Sequence, residues 1–139
     1  MSSPSQATDS NQHPGKRRVL VVDDNQDSAT SLAMLVGVLG AESRTAYDGP
    51  QALEVAADFR PEMIFLDIGL PIFDGYEAAR RIREEPWGKT IVLAALTGWG
   101  NEEDRQRSLE AGFDHHLVKP IEINALKQLL SNLPPATAV

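Results

Sequence analysis

The feature that most constrains this chain is an alternation repeated five times. Short apolar runs trade places with longer segments whose apolar residues recur at helical spacing. The runs are Val19-Leu20-Val21-Val22, the mixed Ser43 to Tyr47, Met63-Ile64-Phe65-Leu66, Ile91 to Leu96, and the weaker His115 to Val118. Runs of this length, rich in Val and Ile, suit strands buried on both faces. Leu32, Leu35, Val36 and Leu39 fall at i, i+3, i+4 and i+7, and so do Leu126, Leu129, Leu130 and Leu133. Each set makes one apolar stripe on a helix. Strand–helix alternation predicts a parallel sheet with helices on both faces, because parallel neighbours need a crossover connection.

The first, third and fourth runs are wholly apolar, whereas the second and fifth are mixed. Central strands are buried on both faces and edge strands less so. The predicted fold is therefore α/β, a flavodoxin-like doubly wound five-stranded parallel sheet of order 2-1-3-4-5 with five helices. Asp48 with Gln51, and Asp74 with Glu77, have capping-box spacing and predict helix starts near residues 49 and 75. Asp24 or Asn25 would cap the first helix. Asn101 would cap another, whose first turn, Glu102-Glu103-Asp104, suits the positive end of the helix dipole. Gly40 and Gly112 stand where C-cap glycines would. Residues 1–15 are almost devoid of apolar side chains and predict a disordered tail, 16–133 form one domain, and 134–139 form a second short tail.

Composition narrows the function. The absence of cysteine excludes disulfides, zinc thiolates, iron–sulfur clusters and thiol catalysis. No apolar run approaches the ~20 residues of a membrane span, and no signal peptide is visible, so a cytoplasmic protein is expected. A net charge of −7 argues against non-specific nucleic-acid binding.

Position is more informative than composition. Asp23 and Asp24 end the first apolar run, Asp67 the third, Thr97 the fourth and Lys119 the fifth. In a parallel sheet these residues emerge at one C-terminal edge, where ligands bind open α/β sheets. Three carboxylates there repel one another unless one is protonated or a cation neutralises them. An all-oxygen set without His or Cys suits Mg2+ or Mn2+. A carboxylate beside such a metal can act as a nucleophile and form an aspartyl phosphate, with a hydroxyl and an ammonium holding the phosphoryl oxygens. The residues alone thus predict a metal-dependent phosphoacceptor carboxylate.

The segments VLVVDDNQDS, MIFLDIGLPIFDGYEAAR, AALTG and HHLVKP, in that order, resemble the response-regulator receiver domain of two-component signalling. The likeness covers about residues 16–133. It implies that Asp67 is the phosphorylated aspartate, Asp24 a direct metal ligand, and Asp23 an acid acting mainly through metal-bound water. It implies that Gly69 offers its backbone carbonyl to the metal. Thr97 would be the switch hydroxyl, Lys119 the ammonium partner, and Lys119-Pro120 a cis bond. The implied partners are a histidine kinase or histidine phosphotransfer protein upstream and an unidentified protein downstream, with no nucleic acid and no membrane. A monomer or weak dimer is expected, with no enzymatic activity beyond its own aspartyl phosphate.

Two departures from the family pattern stand out. His116 stands where most members carry Tyr or Phe three residues before the lysine, which puts the usual inward ring rotation in question. Trp99 and Gly69 occupy the positions that tune phosphoryl lifetime, and Trp99 is expected to shield the acyl phosphate from water. The stretch after Thr97 looks more like receivers of hybrid kinases than of transcription factors. The residues after Leu133 are too few for an output module, so docking, or origin in a longer hybrid kinase, is expected.

Other resemblances fail on spacing. Asp23, Asn25 and Asp27 mimic a calcium loop but lack its Gly and Glu. Gly88-Lys89-Thr90 precedes a strand rather than following one, and predicts a turn. His115-His116 predicts a partly exposed edge strand, and Lys16-Arg17-Arg18 a solvated lead-in. Trp87 predicts loop packing. A haloacid-dehalogenase-type phosphatase would need Asp-x-Asp after the first strand, where this chain has Asp23-Asp24-Asn25. A receiver that works without phosphorylation is the other alternative. The mobile output element is expected in the fourth helix, with Leu109 and Ala111 as its apolar stripe, together with the fifth strand and helix.

Overall fold

The computed structural model describes residues 17–98 and 100–133. The tails expected at 1–15 and 134–139, and Trp99, lie outside the described residues. Five strands, β1 (Arg18–Val22), β2 (Glu42–Ala46), β3 (Met63–Asp67), β4 (Val92–Thr97) and β5 (His115–Val118), alternate with five helices. The helices are α1 (Gln26–Val38), α2 (Gly49–Phe59), α3 (Gly75–Glu84), α4 (Glu102–Ala111) and α5 (Ile123–Ser131). All pairings are parallel and the order is β2-β1-β3-β4-β5, as the apolar runs predict.

Two cores explain the unbroken apolar runs. Leu20, Val22, Ile64, Leu66, Leu93 and Ala95 face α2, α3 and α4. Their strand neighbours Val19, Val21, Met63, Phe65, Ala94 and Leu96 face α1 and α5. Successive residues serve opposite faces, so a central strand must be apolar throughout. Fully burying one such side chain contributes about 1.5–3 kcal/mol.

The helix caps follow the sequence. Asn25, Asp48, Asp74 and Asn101 each accept a hydrogen bond from the backbone three residues on. Gly112 ends α4 at φ 108°, and Gly40 follows α1 at φ 98°, conformations that favour glycine.

The structure corrects several expectations. Leu109 is 63% exposed, so α4 buries Ser108 and Ala111 instead of a Leu109 stripe. A helix turns about 100° per residue, and position 109 lands outside the face that meets the sheet. The basic lead-in is built into the fold: Arg17 pairs with Glu62 at 2.6 Å, and Arg18 opens β1 and donates to the carbonyls of Phe59 and Arg60. Asp67 and Thr97 close their strands, in keeping with their place at the ends of the apolar runs. Other expectations hold: Pro86–Gly88 forms a 3-10 turn, and Trp87 packs from it against the core.

Candidate functional site

The parallel register delivers the acidic residues to one edge. Val22 pairs with Leu66, Asp67 with Leu96, and Thr97 with Val118. Asp23 follows β1 and is fixed there by its N–H, which donates to the Ala46 carbonyl at 3.1 Å. Its side chain accepts from the Asn25 N–H at 3.0 Å. Asp23 is only 3% exposed, whereas Asp24 is exposed. Lys119 follows β5, and its N–H donates to the Thr97 carbonyl at 2.8 Å. The Lys119-Pro120 bond is cis, as expected.

The Lys119 ammonium donates to Asp67 Oδ2 at 3.1 Å and to Asp23 Oδ2 at 3.2 Å. The Gly69 N–H donates to the other Asp67 oxygen at 3.1 Å. Thr97 is buried at the same edge. Beside the crevice opens a cavity of about 530 Å³, floored by Leu32, Leu35, Leu96 and Ile121.

Carboxylate oxygens of Asp23, Asp24 and Asp67 all lie within 4.8 Å of one another. Three hard oxygen donors share one ammonium between two of them, so the cluster retains excess negative charge. That donor set fits Mg2+ or Mn2+, which prefer carboxylate oxygen and coordinated water. The Asp67 carboxyl is shifted by its surroundings, chiefly by burial. Burial pushes its pKa above the ordinary carboxylate value and the Asp23 charge adds to the rise, while the Gly69 amide and Lys119 offset only part. Burial pulls the Lys119 ammonium down, but its bonds and attraction to Asp67 and Asp23 win, leaving it raised.

Two positions that sequence reasoning treated only as helix starts shape this site. A Cβ on Gly75 would collide with the Asp67 carbonyl oxygen, and the Gly75 N–H donates to the Ile68 carbonyl at 2.8 Å. The start of α3 therefore presses directly on the backbone of Asp67. A Cβ on Gly49 would meet the Phe73 ring, which clamps the β3–α3 loop to α2. The Asp74-Gly75 dipeptide marks a turn, but nothing in it says which backbone it touches.

His116 lies on β5, half-buried, and its Nδ1 is 2.8 Å from the Ser108 hydroxyl on α4. Gly69 has open space where a side chain would start, the nearest atom being Asp67 Oδ1 at 3.9 Å. Its carbonyl role and the shielding role of Trp99 remain expectations, Trp99 lying outside the described residues.

Comparison with known proteins agrees with this geometry. Residues 19–131 match the family model of the response regulator receiver domain. The chain is 35% identical over 121 residues to an uncharacterised 14.6 kDa protein of Leptolyngbya boryana, covering 84% of this chain and 92% of that one. It is 38% identical over 113 residues to the sensor histidine kinase RcsC of Salmonella typhi, covering 81% of this chain but only 12% of the kinase. The receiver domain of a Pseudomonas aeruginosa sensor histidine kinase, solved with magnesium in its active-site cleft, superposes with a TM-score of 0.78. That structure is 32% identical and covers 86% of this chain and 98% of its own. The chain belongs to the response-regulator receiver family.

Proposed function

We propose that the chain is a phosphoacceptor switch whose acceptor is Asp67. The observation that carries this reading is the shared ammonium: Lys119 bridges Asp67 and Asp23 inside a cluster of three carboxylates. An Asp67 oxygen attacks the phosphorus of a donor, either the phosphohistidine of a kinase or phosphotransfer protein or a small acyl phosphate. The new O–P bond replaces the donor's P–N or P–O bond, and the leaving group departs with its electron pair. Lys119, 3.1 Å from Asp67 Oδ2, is set to pair with the phosphoryl oxygens once the carboxylate has become an acyl phosphate. The Thr97 hydroxyl closes the opposite side. Asp23, Asp24, Asp67 and the Gly69 carbonyl would hold Mg2+, which would neutralise the carboxylates and the transferring phosphoryl oxygens. The chain's catalysis is confined to gain and loss of its own phosphoryl group. The downstream event is a change in partner binding at α4, β5 and α5.

Intact mass after incubation with Mg2+ and acetyl phosphate tests the reading. The wild type gains one phosphoryl group, and Asp67→Asn gains none. A phosphorylated Asp67→Asn protein would overturn the assignment. Failure of the wild type to gain phosphate or to bind beryllofluoride would favour a receiver that works without phosphorylation.

A further inference from the structure

α4 is thinly held. It buries only Ser108 and Ala111 of its ten residues. Its C-terminal end is fixed from outside the helix: Arg83 of α3 donates to the Gly112 carbonyl at 2.9 Å and pairs with Asp114 at 2.9 Å. Asp114 in turn accepts the N–H of Leu93 on β4 at 2.9 Å. At the other end, the Asn101 cap and the Arg105 bond to the Gly100 carbonyl lie within the segment itself. Between these ends stands Ser108, 2% exposed, its hydroxyl 2.8 Å from His116 Nδ1. Beside it the Arg107 guanidinium stacks over the Tyr76 ring of α3 at 4.3 Å, while the Ser108–His116 bond joins the middle of α4 to β5.

His116 is also linked to the phosphoacceptor crevice. It pairs in register with Ala95, and Val118 pairs with Thr97. Alternation puts Ala95, Thr97 and His116 on the sheet face that α4 covers. The imidazole therefore neighbours a small side chain, diagonal to the Thr97 hydroxyl. On its outer side lies a cavity of about 300 Å³ lined by Glu102, Arg105, Ser108, Phe113 and His116. Thr97 moving toward a loaded Asp67 would open space on this face, and the ring or the helix has room to respond.

We infer that the Ser108–His116 hydrogen bond is a latch that favours the resting arrangement of α4 and β5, so that loading Asp67 and keeping this bond compete. The inference rests on the phosphoacceptor reading above. It gives His116 a role distinct from an inward-turning aromatic ring: the imidazole holds the helix until the crevice is filled. By reciprocity, the factor by which the latch weakens binding of a phosphoryl mimic at Asp67 is the factor by which the bound mimic weakens the latch, so removing the bond should tighten binding.

Calorimetric titration with beryllofluoride in the presence of Mg2+ tests this on the intact chain. Ser108→Ala, which removes one oxygen from a buried site, is expected to bind roughly twofold to tenfold tighter than wild type. His116→Ala is expected to do the same, and the double variant to gain nothing further. In His116→Asn the side-chain amide, which can both accept and donate, can replace Nδ1 in either role, and affinity should return to the wild-type value. Wild-type affinity in Ser108→Ala, even with a lower melting temperature, would make Ser108 merely structural and overturn the latch. So would His116→Asn binding as tightly as Ser108→Ala. If the wild type itself fails to bind, the phosphoacceptor reading falls and the latch with it. If it binds and only the variants are indifferent, the latch alone falls.

Discussion

The charge imbalance around Asp67 makes the sharpest single-residue predictions. Its carboxyl is held above the unfolded value of 3.8, burial being the main cause. The native state therefore keeps this proton where the unfolded chain has released it. Metal-free stability should fall as pH rises from 3.8 through the raised value, then level off with respect to this group. Asp67→Asn, neutral and of equal size, should melt higher than wild type without metal at neutral pH, as a thermal melt would show. Carboxyl NMR titration should find Asp67 titrating above an ordinary aspartate, and higher still in Lys119→Ala. A Cβ at Gly75 has no room beside the Asp67 carbonyl. Gly75→Ala should cost on the order of 1–3 kcal/mol in denaturant unfolding and slow phosphorylation by acetyl phosphate. Asp67, Asp23, Asp24, Thr97 and Lys119 were legible in the sequence because each ends an apolar run. Gly75 as a support of the site, and Ser108 as the partner of His116, were not, because both depend on contacts between different elements.

Among the elements, α4 is set apart by how little it buries. Leu109→Gln on its exposed side should change stability by no more than about 0.5 kcal/mol. Leu126→Ala, at the buried face of α5, should cost about 2–5 kcal/mol by the same assay. Removing the α4 cap with Asn101→Ala should cost about 1 kcal/mol and raise amide exchange in α4 first. The periodic stripes of α1 and α5 were readable because their leucines outnumber other choices for a buried face. The stripe of α4 was misread because a polar Ser108, not Leu109, occupies the inward position. Hydropathy cannot mark a buried serine, since its burial depends on a hydrogen bond supplied from β5. The arginines at 17 and 18 were misread for a similar reason, their partners lying some forty residues away.

For the whole molecule, the position of the crevice follows from one fact, that five parallel strands all end at one edge. Which strands are central and which lie at the edges was readable from which runs were apolar throughout, because only central strands are covered on both faces. Three carboxylates gathered at that edge in a chain of net charge −7 leave the resting fold poised for a cation. Saturating Mg2+, at about a hundredfold over its dissociation constant, should stabilise the chain by about 2.7 kcal/mol, read as a rise in melting temperature. Asp24→Ala should lose most of that rise.

The most direct test of the phosphoacceptor account is to locate the phosphoryl group. The chain is treated with acetyl phosphate and Mg2+, the acyl phosphate is reduced with borohydride, and the peptides are sequenced by mass spectrometry. The account predicts homoserine at position 67 and unmodified aspartate at 23 and 24. Homoserine at either of those positions, with Asp67 intact, would contradict it.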